Sequence, residues 1–326
     1  MMRFLFIGSR TLPLAMRVQD EGHKAYLLND GPEGQGLVDK ADQNFVDNLP
    51  ADMAVIDGPG YGRAVDSCVS RGIKVIGSSR LTDAISESPA YHRAFVRSLG
   101  YDMAAPSPND LVAEGWFNGS HICQPVGLGK VDWHLMEGNL GPDIGGCGAW
   151  VELKRDSEVF GPVEKMLRKH SYRGPVVMRL APTGEVVLMS FHFNWTTSVA
   201  YLDSLITPIG DVLRIVANGS SDEFEAKGVG KTISILLSMP PFPYGNKGTF
   251  GIPIQLQNGA WPHFWCGDLL SNDGRVITAG TKGIIGWVTA SAKDVLDARK
   301  RAFRTINRLR GQVPGIQYRR DVGKVI

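Results

Sequence analysis

The sequence predicts a doubly wound, parallel α/β domain at the N-terminus, then an α+β region, then a β-rich stretch closed by a basic helix. Three observations carry this. Strand and helix patterns alternate through the first hundred residues, strand patterns beyond Pro106 come in pairs joined by Gly or Pro turns, and an amphipathic pattern ends the chain. With 326 residues, 43% hydrophobic and 21% charged, the composition is that of a globular protein with ample core, not of a disordered or fibrous one.

The elements follow in order. Arg3 to Ile7, Lys24 to Leu28, Met53 to Asp57 and Ile73 to Ile76 are short apolar runs of strand character, and Leu14 to Asp20 and Gly62 to Ser70 carry helical spacing. Glycine-rich turns follow three of the strands, at Gly8-Ser9-Arg10, Gly58-Pro59-Gly60 and Gly77-Ser78-Ser79, on the carboxyl edge where such sheets bind ligands. The first turn is not a dinucleotide fingerprint, because no GxxG follows Gly8. A helix pattern runs from Ser88 to Leu99, and Pro106 and Pro108 mark a boundary. Pro175 to Leu180 and Glu185 to Phe193 flank the turn Ala181-Pro182-Thr183-Gly184 and predict a hairpin. Lys231 to Pro240, Trp261 to Trp265, Gly274 to Thr278 and Gly283 to Thr289 read as further short strands. Val295, Ala298, Ala302, Ile306 and Leu309 then recur at helical spacing, with Gly311 at the expected stop. Segments 1–105, 106–226 and 227–326 are the expected domains.

Charge is nearly balanced, with 35 Lys and Arg against 33 Asp and Glu, so whole-molecule attraction to nucleic acid or membranes is not expected. Ten basic and three acidic residues nevertheless lie from Lys293 onward. The exposed face of that helix carries Arg299, Lys300, Arg304 and Arg308, read first as a solvated face and second as a nucleic-acid contact. Cys68, Cys123, Cys147 and Cys266 are scattered and read as reduced thiols. The apolar run at Phe4 to Ile7 is too short for a signal peptide or membrane span, so a cytoplasmic protein is expected. Lys227-Gly228-Val229-Gly230-Lys231-Thr232 is not a P-loop, because the pattern needs glycine where Glu225 stands. His263 with Cys266, His121 with Cys123, and His192 form no metal-ligand set of usual spacing, so no metal site is expected. Trp116, Trp133, Trp195, Trp261 and Trp265 read as core, or else as a flat wall for a base or sugar.

Several segments together resemble the phosphoribosylamine–glycine ligases of the ATP-grasp superfamily. Gly141-Pro142-Asp143-Ile144-Gly145-Gly146-Cys147-Gly148-Ala149-Trp150 is similar to the family's GPNTGGMGAY, and Tyr172-Arg173-Gly174 leads into a matching hairpin. Gly283 to Thr289 resembles GGRVLGVTA, Tyr318-Arg319-Arg320-Asp321-Val322-Gly323 resembles YRKDIG, and Ser86 to Phe95 resembles LEGSKAF. The resemblance implies a pre-ATP-grasp-like N-terminal domain and a reduced ATP-grasp-like α+β region. It also implies substrate binding by Gly141, Asp143, Gly145, Gly146, Gly148, Arg173, Arg319, Arg320 and Asp321, beside the N-terminal edge at Gly8, Ser9, Arg10, Gly58, Pro59 and Gly60.

The chain departs from the family where ATP and magnesium are handled. Only 34 residues separate Pro106 from Gly141, too few for a nucleotide lobe of several strands of roughly 5 to 6 residues and a helix of about 11. The KADGLAAGKGV phosphate loop has no counterpart, and the lysine of GSK falls at Pro89. The magnesium-binding EFN falls on Ser190-Phe191-His192, and RFGDPE on Asn194 to Val199, leaving no carboxylate. The expectation is a pocket for a phosphoribosyl compound, nucleotide or glycine-like amino acid without ordinary ligation, and with no cofactor. ATP and magnesium enter only if ligase activity survives. The alternatives are a working ligase, and an ATP-independent amine or amino-acid transferase whose acceptor could be a nucleic acid. A partner chain or second copy supplying the missing lobe is left open.

Overall fold

The computed structural model describes residues 1–8, 10–42, 48, 51–228, 230–245, 247–255, 261–310 and 313–324. The N-terminal unit runs β1 (Arg3–Ile7), α1 (Leu12–Asp20), β2 (Lys24–Leu28), β3 (Asp39–Lys40), β4 (Met53–Ile56), α2 (Gly62–Ser70), β5 (Lys74–Gly77), α3 (Arg80–Glu87) and α4 (Pro89–Ser98). Its strands form one parallel sheet in the order β3-β2-β1-β4-β5. Side-chain alternation explains the double winding. Phe4, Phe6, Met53 and Val55 join Leu14 and Val18 of α1 in one core. Leu5, Ile7, Ala54 and Ile56 face the other way, toward Cys68 of α2.

Two elements here escape the sequence reading, namely the two-residue β3 and the helix α3. Ser79 caps α3 through a box, its Oγ accepting from the Thr82 backbone N–H while its own N–H donates to Thr82 Oγ1 at 2.7 Å. The box closes on Thr instead of the usual Glu or Gln, which hid the helix start in a serine-rich turn.

The rest of the chain adds β6 (Leu111–Phe117), β7 (Ile122–Met136), β8 (Leu140–Lys154), α5 (Gly161–Leu167), β9 (Gly174–Leu180), β10 (Val186–Ser190), α6 (Trp195–Asp203), α7 (Ile209–Asn218) and β11 (Lys231–Ser238). After these come β12 (Phe250–Pro253), β13 (Phe264–Cys266), β14 (Leu269–Asn272), β15 (Arg275–Ala279), β16 (Ile284–Ala292) and α8 (Val295–Arg310). Eight strands make an antiparallel sheet ordered β10-β9-β6-β7-β8-β11-β16-β13, and β12-β15-β14 make a small one. The large sheet takes strands from both sides of residue 227, so a division at 226/227 does not separate two cores. Gly311, the expected helix stop, lies outside the described residues.

The Gly141 to Trp150 segment is part of the fifteen-residue strand β8. Gly141, Gly145 and Gly146 have positive φ, and the pairing with β7 shifts register beside them. Such residues bulge a ladder without ending it, because β7 continues opposite. Side-chain alternation in β11 then assigns the helices to faces. Ser234 donates to the Thr196 carbonyl of α6, whereas its neighbour Ile233 lies on the opposite face with Val295 and Arg299 of α8 around Gly323. Every residue of α6 is buried.

Candidate functional site

A cavity of about 630 Å³ opens between the carboxyl edge of the parallel sheet and the α6 face of the large sheet. This is the size of a small-molecule pocket, placed where open α/β sheets hold ligands. One wall is Arg10, Asp57, Gly58, Pro59 and Tyr61 from the turns after β1 and β4. Gly8 permits this close approach, since at φ 111° a Cβ there would stand 2.4 Å from the Asp57 carbonyl oxygen. Ser9 lies outside the described residues.

Asp57 ties that wall to the start of α6. Its carboxylate accepts from the Phe193 N–H at 3.1 Å and from Trp195 Nε1 at 2.9 Å, and burial pushes its pKa up. Beside it His192 places Nε2 3.0 Å from Ser86 Oγ, and its own N–H donates to Ser190 Oγ at 3.2 Å. Burial pushes the imidazole pKa down, against the opposing pull of Asp57 and Asp83, so the neutral ring is favoured.

The opposite wall is organised by Arg179 of β9, which sequence reasoning missed. Its Nε donates to Asp110 at 2.7 Å, Nη1 to Asp143 at 2.9 Å and Nη2 to the Ser107 carbonyl at 3.2 Å, and its guanidinium lies 4.0 Å from the centre of the Trp133 ring. A cation inside the buried apolar run of β9 was the available signal. Asp143 also accepts from the Gly145 N–H at 2.9 Å, Asn194 donates to the Gly145 carbonyl at 3.0 Å, and Thr196 to the Gly146 carbonyl at 2.8 Å. The Gly145 N–H is therefore engaged within the protein and is not an open anion donor.

Of the residues singled out in the sequence, Arg10, Gly58, Pro59, Trp133, Gly145, Gly146, Ser190, His192 and Trp195 line this pocket. Asp143 is one hydrogen bond behind it, and Gly8 and Gly60 flank the first wall. The others lie elsewhere. Arg173 donates to the Asn118 and Ala217 carbonyls at 3.0 and 2.9 Å, tying the β6–β7 turn to the last turn of α7 away from the pocket lining. Arg319 is buried against Asp321 and, at 3.2 Å, Asp132, and it donates to the His134 carbonyl at 3.0 Å. It borders a separate cavity of about 250 Å³ with Cys147 and Tyr318. Asp321 also accepts from the Gly138 N–H, Arg320 is exposed, Gly141 packs on Met136, and Gly148 abuts Val322. Among the described residues no three His, Cys, Asp or Glu stand together so as to hold a metal ion. No described helix is long and apolar enough to cross a membrane, and all four cysteines are free and buried.

No family model matches the chain. It is 26% identical over 206 residues to phosphoribosylamine–glycine ligase of Mycobacterium leprae, covering 57% of this chain and 46% of that protein. It is 25% identical over 240 residues to the enzyme of the same name from Listeria innocua, covering 68% and 55%. The crystal structure of phosphoribosylamine–glycine ligase from Thermotoga maritima superposes with a TM-score of 0.70 at 16% identity, covering 98% of this chain and 100% of that one. The chain thus resembles the phosphoribosylamine–glycine ligases in sequence and shares their ATP-grasp fold. Biotin carboxylase from Campylobacter jejuni shares the fold at a TM-score of 0.63 and 11% identity, over 98% of this chain and 93% of that one. The chain spans about half the length of the curated phosphoribosylamine–glycine ligases it matches.

Proposed function

We propose that this phosphoribosylamine–glycine ligase relative, of purine- or nucleotide-related metabolism, keeps the pocket for a small molecule and does not carry out ATP-dependent ligation. One observation carries the reading. The two positions at which the resemblance places magnesium ligands, Ser190 and His192, face the pocket, and the carboxylates beside them among the described residues are already engaged. Asp57 accepts from Phe193 and Trp195, Asp143 is held by Arg179 and Gly145, and Asp268 accepts from the Lys282 and Ile284 backbone N–H groups. Magnesium in a phosphate site needs hard oxygen ligands, and a hydroxyl beside an imidazole does not supply them. Charge argues the same way. The pocket lining holds three cations, Arg10, Arg179 and Lys282, against two carboxylates, Asp57 and Asp268, and Arg179 is already paired with Asp110 and Asp143. Phosphoryl transfer relies on positive charge gathered on the phosphates, and little is in surplus here.

The test is calorimetric titration with magnesium-ATP, then glycine and a phosphoribosyl compound, followed by an ADP-release assay on the mixture. The expected result is no ADP. Release of ADP that depends on glycine and phosphoribosylamine overturns the reading and restores the ligase. A nucleic-acid acceptor reached from the pocket finds no support, because α8 with Arg304 and Arg308 lies across the sheet from α6.

A further inference from the structure

We infer that the pocket takes an uncharged compound with a flat heteroaromatic ring, of the nucleobase or nucleoside class and without a phosphate or a free carboxylate. This rests on the proposed reading of the pocket as a retained small-molecule site and narrows its ligand by charge and shape.

Charge is decided first, because every charged group of the lining already has an opposite charge beside it. Arg179 is paired with Asp110 and Asp143 at 2.7 and 2.9 Å. Arg10 faces Asp57, and the Lys282 ammonium acts on Asp268. An anionic ligand therefore finds no cation that it would not have to take from an aspartate. The carboxylates are equally occupied. Asp57 accepts from the Phe193 N–H and Trp195 Nε1, and Asp268 from the Lys282 and Ile284 N–H groups. A ligand charge of either sign would enter the cavity without a partner, which is costly, whereas a neutral ligand leaves the existing pairs intact.

Shape is decided by the aromatic lining. Of its six aromatic side chains, four are taken up by the protein itself. Phe193, Trp195 and Trp287 are buried, with Phe193 stacked on Trp195 at 4.9 Å and Trp287 tilted against it at 6.1 Å, and Trp133 is buried beneath Arg179. The other two, Tyr61 and Phe242, are only half-buried. They come from different units of the fold, Tyr61 from the turn after β4 and Phe242 from the loop after β11. Each is held in place by glycine, Tyr61 against Gly8 and Gly58 and Phe242 against Gly283. Ile144, Ile284 and the exposed Leu188 extend the apolar lining. Wetting such a surface is unfavourable, and a flat ring that covers it recovers both burial and stacking. A polar atom on the ring also has a partner. Ser190 Oγ accepts from the His192 N–H, and its own proton has only the His192 carbonyl at 3.4 Å, so the hydroxyl can turn to a ring nitrogen or oxygen.

Titration followed by tryptophan fluorescence and calorimetry tests this. The probes are adenosine, guanosine, inosine and cytidine, their 5′-monophosphates, the cationic 5′-amino-5′-deoxyadenosine, ribose and glycine. At least one nucleoside is expected to bind about tenfold or more tightly than its monophosphate, adenosine no less tightly than its 5′-amino analogue, and ribose and glycine not measurably. Tyr61→Ala and Phe242→Ala are each expected to weaken nucleoside binding about tenfold, the usual effect of removing one stacking ring. Tyr61→Phe and Phe242→Tyr keep a ring and are expected to keep most of the affinity, with melting curves for all variants separating lost stacking from lost fold. Monophosphates or the 5′-amino analogue binding as tightly as the nucleosides overturn the charge inference, and nucleoside binding indifferent to both alanine variants overturns the ring inference. Either result leaves the small-molecule reading standing. Failure of every probe at millimolar concentration overturns the inference and the retained pocket together, whereas glycine-dependent ADP release overturns the non-ligase reading whatever the nucleosides do.

Discussion

Two buried arginines flank the β7–β8 hairpin, each held by two aspartates, and they serve different ends. Arg319 is sealed between Asp132 and Asp321, its side chain 1% exposed, and clamps the C-terminal segment to the hairpin through the His134 carbonyl. Arg179 has the same partner types in Asp110 and Asp143, but Asp143 is 39% exposed and the guanidinium lines the main pocket. The motif that resembles the family's closing YRKDIG thus belongs to a structural clamp, whereas the arginine at the pocket carries no motif. A paired guanidinium in sequence is therefore weak grounds for a ligand site when its own neighbours can satisfy it.

Replacing either arginine by methionine tests the comparison most severely. Arg319→Met strands two acids in the interior, and the expected loss is about 3–5 kcal/mol by chemical denaturation. Arg179→Met is expected to cost less, about 3 kcal/mol, because Asp143 can turn to water while Asp110 cannot. Equal losses would mean that exposure of one partner is irrelevant and would break the distinction drawn between the two clamps.

Glu114 sharpens the same point, being a buried acid with no arginine. Its carboxylate accepts from Trp116 Nε1 at 3.3 Å, Thr197 Oγ1 at 3.0 Å and Ser198 Oγ at 3.1 Å, and burial pushes its pKa from 4.5 to about 7. A raised acid holds its proton longer in the folded state, so stability falls as pH rises from 4.5 through about 7 and is flat above. Glu114→Gln is expected to remove a slope worth on the order of 3 kcal/mol across that window, read from denaturation at several pH values. A variant that keeps the slope would assign it to another group.

Smaller effects separate the glycines of β8. Gly148→Ala puts a Cβ 2.3 Å from Val322, beside the Arg319 clamp, and is expected to cost about 1–3 kcal/mol from overpacking. Gly145→Ala meets open space at φ 79° and is expected to cost about 1 kcal/mol from backbone strain alone. Asp143→Asn is expected to be the mildest, about 0.5 kcal/mol by thermal melting, since Asp143 itself is 39% exposed and Asp110 remains on Arg179.

Much of the N-terminal unit was legible, because β1, β2 and α2 are continuous apolar or helical patterns that can be read within their own segments. The β9–β10 hairpin and α8 were legible for the same reason. The long β8 strand was not, since nothing in its glycine-rich run marks a strand until β7 is seen running opposite it. Arg179 was invisible as a site residue because Asp110 lies 69 positions away, whereas Arg319 lies in the segment that resembles YRKDIG.

Local pattern and residue chemistry thus determined the parallel sheet, the basic amphipathic helix, the resemblance to a ligase family and the absence of carboxylates at Ser190 and His192. These are properties of residue type and short-range spacing, which the chain carries wherever it folds. Only the tertiary structure decided which conspicuous residues share a cavity. It brought Asp57 to the start of α6, spent the Gly145 N–H on Asp143, sealed Arg319 in a clamp and left Tyr61 and Phe242 half-buried across one pocket. The physical reason is that hydrogen-bond satisfaction and burial are settled between segments distant in the chain, where no local pattern reaches.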